Sequence, residues 1–219
     1  MGLKAARPGT RPWPVALAGA LAAVLFFALF RFRRLGPLDF WAWLSVTVVL
    51  VVALSFAIDP GCGRRLKEDL RSGPLRKVGL GLVSAVFLYA VFAAGREAAL
   101  AFFPFAASGI SRIYELGSGV SAVRVIFLLG LLVGPGEELF WRGFFQERSG
   151  AATSRASGFA LTSLIYTSVH VASGNPMLIL AAAVCGLFWG GLYLRYRSPV
   201  INIVSHAAWD LLVFVILPF

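Results

Sequence analysis

Apolar runs of close to twenty residues recur along this chain, separated by short stretches rich in Lys and Arg. A bilayer core is spanned by roughly 20 consecutive apolar residues, so the pattern predicts an all-α, polytopic transmembrane helical bundle. About seven spans are expected, at 14–30, 40–58, 78–103, 123–145, 158–172, 176–194 and 200–219, the fifth of them short. Composition agrees, with 59% of the 219 residues hydrophobic and 14% charged, far from a soluble average.

The net charge of +10 would point to nucleic acid in a soluble protein. Here the basic residues sit between apolar runs, so anionic lipid headgroups and topology account for them, and no nucleic-acid partner is expected. The most basic stretch, 62–77, holds Arg64, Arg65, Lys67, Arg71, Arg76 and Lys77 and reads as a surface helix or loop on the cytoplasmic face. The tail with Lys4, Arg7 and Arg11 and the loops at 59–77, 146–157 and 195–199 fall on that same side. The positive-inside rule then places the N-terminus inside and the C-terminus outside, in what reads as a bacterial cytoplasmic (inner) membrane. Arg96 and Glu97, within the third apolar run, are expected near an interface, with their charges snorkelling to water. Cys62 and Cys185 show no metal or redox spacing and are expected as free thiols.

One span breaks the apolar rule. Gly134-Pro135-Gly136-Glu137-Glu138-Leu139-Phe140-Trp141-Arg142 puts two carboxylates and a guanidinium where hydrocarbon is expected. Each such charge costs roughly 2.5–3.5 kcal/mol on insertion scales, which favours a functional reading. Glu138 and Arg142 stand at i,i+4 with the acid first, the favourable order for an ion pair. Glu137 is turned about 100° away. It is therefore the free carboxylate, suited to act as general base on water, with Glu138–Arg142 fixing the helix.

The only two histidines, His170 and His206, also fall inside predicted spans. Tyr166 precedes His170 by four residues and Asp210 follows His206 by four, so each pair shares a helix face. An Asp beside a His can orient the imidazole and hold one tautomer. Measured from the basic side, Glu137, His206 and His170 lie about 12, 9 and 18 Å deep, depths that one buried polar cavity can gather. Such a group suits water activation by a carboxylate or a His/carboxylate metal site. No cofactor is certain; if a divalent metal such as zinc is held, Glu137, His170 and His206 are its ligands.

The three elements Glu137-Glu138-x-x-x-Arg142, Tyr166-x-x-x-His170 and His206-x-x-x-Asp210 resemble the CPBP family of CAAX-protease and bacteriocin-processing (Abi) membrane proteins. The resemblance covers roughly 120–219 and divides the chain into membrane helices with a basic cytoplasmic loop (1–122) and a CPBP-like catalytic core (123–219). It implies an intramembrane endopeptidase, glutamate-dependent or metallo, with a cavity open towards cytosol or bilayer. Glu137 and His170 would activate water, and His206 with residue 210 would stabilise the oxyanion. The substrate implied is a membrane-associated protein or peptide, cleaved at a CAAX-type C-terminus, sorting tail or leader. Two residues depart from the family pattern: Tyr166 replaces the usual Phe, and Asp210 stands where prenyl-protein proteases have Asn. A carboxylate donates to an oxyanion only when protonated, so Asp210 is also a candidate to orient His206 or to hold a metal. The alternative functions are a non-enzymatic immunity or scaffold protein and a small transporter.

Overall fold

The computed structural model describes residues 12–219, so the basic tail with Lys4, Arg7 and Arg11, and the N-terminus placed inside, lie outside the described residues. The structure is 87% helical, with no strand among the described residues. Its helices are α1 (Pro12–Phe32), α2 (Phe40–Ile58), α3 (Gly61–Arg71), α4 (Pro74–Phe102), α5 (Ala106–Gly117), α6 (Ala122–Ala152), α7 (Arg155–His170), α8 (Pro176–Tyr196) and α9 (Pro199–Ile216).

Five of these, α1, α2, α4, α8 and α9, are long and apolar enough to cross a membrane. A sixth crossing results if α5 and α6, bent by 96° to one another, form one broken span. The expected seven is therefore approximate. α7, with 16 residues, reaches only about 24 Å at 1.5 Å per residue. α6 is diluted by its own charges, Arg124, Glu137, Glu138 and Arg142. Outward faces such as Val83, Phe87, Leu131, Leu164 and Leu187 are exposed and apolar, as a lipid contact requires.

Local chemistry sets the helix ends. Asp39 accepts from the Ala42 amide to cap α2, Asn175 caps α8 through the Met177 amide, and Ser198 caps α9 through the Ile201 amide. Proline follows the last two caps at the first helical position, where its missing N–H costs nothing. Within α6, Pro135 interrupts the hydrogen-bond ladder, and the helix widens into π turns at Leu128–Val133 and Leu139–Gln146 on either side of Gly134–Glu138. The two glycines beside Pro135 allow close passage of neighbours. A Cβ on Gly136 would lie 2.2 Å from Val48 of α2, and one on Gly134 would lie 3.3 Å from the Ala207 amide of α9. The acidic motif is thus wedged between α2 and α9 by backbone that only small residues permit.

The loops on the basic side are bolted together by three carboxylates, Asp59 buried and Asp69 and Glu147 half-buried. Asp59, at the end of α2, accepts from Arg65 of α3 at 2.7 Å and Arg148 of α6 at 2.6 Å. Burial works against its charge, but the hydrogen bonds from Arg148 and Arg65 outweigh that and hold its carboxyl well below the usual carboxylate range. Asp69 pairs with Lys77 and accepts from Ser198 and the Val200 amide at the start of α9. Glu147 accepts from Tyr193 and pairs with Arg197. On the opposite side Arg124 grips Asp39 through both terminal nitrogens, at 2.7 and 2.9 Å. Asn175 donates to the Gly109 carbonyl there, and Trp41 to that of Leu116.

Candidate active site

Glu138 is the hub of the buried polar network. Fully buried, it accepts from Arg142 Nη1 at 2.9 Å, Asn202 Nδ2 at 2.9 Å and His206 Nδ1 at 2.8 Å. The Arg142 guanidinium packs 4.8 Å from the Tyr166 ring centroid and 5.8 Å from that of Trp189. Four elements of the bundle core, α6, α7, α8 and α9, are fastened through this one carboxylate and its arginine.

Glu137 points elsewhere, as the 100° offset along a helix requires. It lines a cavity of about 570 Å³, together with Tyr166, His170, His206 and Asp210. The Tyr166 hydroxyl donates to Glu137 Oε2 at 3.1 Å, so the phenol that departs from the family pattern finds its partner in the candidate base. His170 donates from Nδ1 to the Tyr166 carbonyl at 2.7 Å, which leaves Nε2 as its free nitrogen. Its ring lies 4.3 Å from that of Phe30, so α1, outside the catalytic half, helps to set its angle.

His206 follows the same rule, with Nδ1 engaged and Nε2 free, but its partner is not the expected one. The helix-face argument gave Asp210 the orienting role; the structure gives it to Glu138, from another helix, at 2.8 Å. Asp210 Oδ2 faces Nε2 at 3.6 Å, beyond a hydrogen bond, and is buried without a partner. A helix places residues i and i+4 on one face, but that does not decide which ring nitrogen is met, or at what range. Trp189 completes the setting: its ring stacks on His206 at 3.6 Å between centroids, and its indole N–H donates to Ser205.

Asn202, Trp189 and Ser205 are functional neighbours that sequence reasoning missed. Asn202 carried a signal, being a lone amide four residues before His206 in an apolar stretch. Besides Glu138 it donates to the Trp189 carbonyl at 2.8 Å. Nothing local marked Trp189.

The cavity walls bear on the direction of access. They include Phe30, Phe40, Trp41, Phe92, Tyr114, Val125, Met177 and Phe214, which lie in the parts of their helices remote from the basic loops. Along α6 the stripe Val125, Leu129, Val133, Glu137 runs inward on one face, about 18 Å deep at 1.5 Å per residue. Of the two expected openings, cytosol or bilayer, the first lies on the basic side, where the Asp59, Asp69 and Glu147 clusters tie the helix ends together.

Among the described residues no three His, Cys, Asp or Glu side chains are grouped to hold an ion. Glu137, His170 and His206 share the cavity; Tyr166, its carbonyl and Glu138 each engage one of their polar atoms, and Nε2 of both histidines is left free.

Residues 119–212 match the family model described as "Type II CAAX prenyl endopeptidase Rce1-like". Over this segment the chain is similar to that family. This agrees with the CPBP/CAAX intramembrane protease family that the three motifs resemble. No curated protein and no solved structure matches the chain. The matched segment runs from the start of α6 into the last turns of α9 and contains Glu137, His170, His206 and Asp210. The helices before it supply Phe30, Phe40, Trp41 and Phe92 to the same cavity.

Proposed function

We propose that this protein is an intramembrane endopeptidase that hydrolyses a peptide bond of a membrane-associated protein by carboxylate-activated water. One observation carries the reading. Of two adjacent glutamates, one is locked among three donors, and the other faces an apolar cavity together with both histidines and an aspartate.

In this reading a water between Glu137 and His170 Nε2 gives its proton to the Glu137 carboxylate as its oxygen attacks the scissile carbonyl. The oxyanion forms beside His206 Nε2 and Asp210. These two must hold one proton between them to donate a hydrogen bond to it. Glu138 keeps the Nδ1–H of His206 aimed away, so Nε2 is the nitrogen presented to substrate. Glu137 then returns its proton to the leaving amine as the C–N bond breaks. No step is routed through a metal.

Orientation follows from charge. If the basic loops face the cytoplasm, as the positive-inside rule favours, the cavity serves the opposite half of the bilayer. Substrate would then be taken laterally from the membrane or from the non-cytoplasmic side.

The test is cleavage of membrane-anchored reporters in proteoliposomes by wild type and Glu137→Gln, with and without a chelator. Cleavage that vanishes in folded Glu137→Gln supports the protease, and insensitivity to chelator supports the metal-free route. Undiminished cleavage by Glu137→Gln would remove Glu137 from the mechanism. Ion or solute flux without any cleaved product would favour a transporter.

A further inference from the structure

Arg96 is the single Lys or Arg among the residues that line the cavity. It belongs to α4, six residues before that helix ends, on the side where the cavity opens. Snorkelling explains only part of its setting. Nη1 pairs with the neighbouring exposed Glu97, but Nε is buried without a hydrogen-bond partner. The guanidinium, on a side chain 36% exposed, therefore keeps one N–H unmet beside walls formed by Val91, Phe92 and Phe219. An unmet N–H in such a place is costly to keep, and the Nε–Nη2 edge of an arginine is shaped to take both oxygens of a carboxylate.

We infer that Arg96 is the substrate-anchoring residue of this site, pairing with a carboxylate of the bound peptide at the outer end of the cavity. Glu137 acts at the inner end. The inference rests on the protease reading for the identity of the ligand as a peptide, but it concerns binding and is tested apart from turnover. Two sources offer the same chemistry: the free C-terminal carboxylate of a peptide, and an Asp or Glu side chain within it.

The experiment uses the full chain in proteoliposomes, in a Glu137→Gln background so that no turnover intervenes. Three fluorescent peptides of one apolar sequence are compared: free acid, C-terminal amide, and amide with one internal Glu. The amide should bind about tenfold or more weaker than a carboxylate-bearing peptide. Preference for the free acid would assign the C-terminus as the source, and preference for the Glu-containing amide would assign the side chain. Adding Arg96→Gln should bring the preferred peptide down to the amide's affinity and leave the amide unchanged, with Arg96→Lys in between. Equal affinities for all three peptides, unmeasurable binding included, would overturn the inference. So would a preference that survives Arg96→Gln, or an equal loss for all three. Reporter cleavage that persists while the preference is absent would sink the Arg96 role alone, and a preference without cleavage would sink the protease reading alone.

Discussion

Adjacent glutamates with different surroundings should respond to the same substitution to very different degrees. In Glu138→Gln the charge opposite a fully buried Arg142 disappears, and the new amide sets a donor against at least one of the three donors it must satisfy. Breaking a buried ion pair from one side costs about 3–5 kcal/mol. Taking about 2–4 °C per kcal/mol for a chain of this size, the melting temperature should fall by roughly 6–20 °C. Glu137→Gln loses one hydrogen-bond geometry, to Tyr166, at a group that already faces a cavity. Its cost should stay within about 1 kcal/mol, a shift of a few degrees at most. Thermal unfolding of both variants in detergent, followed by intrinsic tryptophan fluorescence, makes the comparison. Trp141 and Trp189 lie within the affected core and report directly on it. A Glu138→Gln protein as stable as wild type, or a Glu137→Gln protein destabilised to the same degree, would refute the division of roles.

Three further outcomes are expected. Asp59→Asn should destabilise by about 2 kcal/mol, less than a fully buried pair because Arg65 and Arg148 remain 30% and 23% exposed; chemical or thermal unfolding measures it. The sign is fixed by the depressed carboxyl: its contribution is complete above the ordinary Asp range, so acid should begin to erode it only below about pH 4. Burial, opposed by Arg65, pushes the Cys62 thiol up to about 12. At pH 8 its thiolate is then scarcer than that of an ordinary cysteine by about three powers of ten; in a Cys185→Ser background, maleimide labelling read by mass spectrometry should be slow by a comparable factor, and rapid labelling would contradict the packing around Asp59. If His206 and Asp210 share the donated proton, Asp210→Asn should keep reporter cleavage within about tenfold, since an amide N–H can replace it, whereas Asp210→Ala should lose about a hundredfold or more. Equal losses in both would argue against a donor at position 210.

What was legible in the sequence was local. Runs of apolar residues define the helices because a helix satisfies its own backbone wherever the solvent is lipid. The caps that the structure shows at Asn175 and Ser198, each followed by a proline, are local in the same sense, spanning only two or three residues. The Glu138–Arg142 pair was readable for the same reason, since an i,i+4 contact needs nothing but the helix that carries it. The same reasoning misassigned the partner of His206: Asp210 is equally local, yet Glu138 from another helix reaches Nδ1 first. Asn202 and Trp189 reach the site only because α8 and α9 pack around α6, and α1 joins it through Phe30 and His170 for the same kind of reason.

The side on which the cavity opens was likewise decided by tertiary structure. Each helix alone offers both ends. Carboxylates Asp59, Asp69 and Glu147 draw the helix ends together on the basic side, while the ends carrying Phe40, Phe92 and Tyr114 stand around the cavity. Sequence supplied the charges, the apolar lengths and the chemical groups, because those are properties of single segments. Their depth in a common cavity, their hydrogen-bond partners and the direction of access depend on how segments far apart in the chain approach one another, and only the folded bundle fixes that.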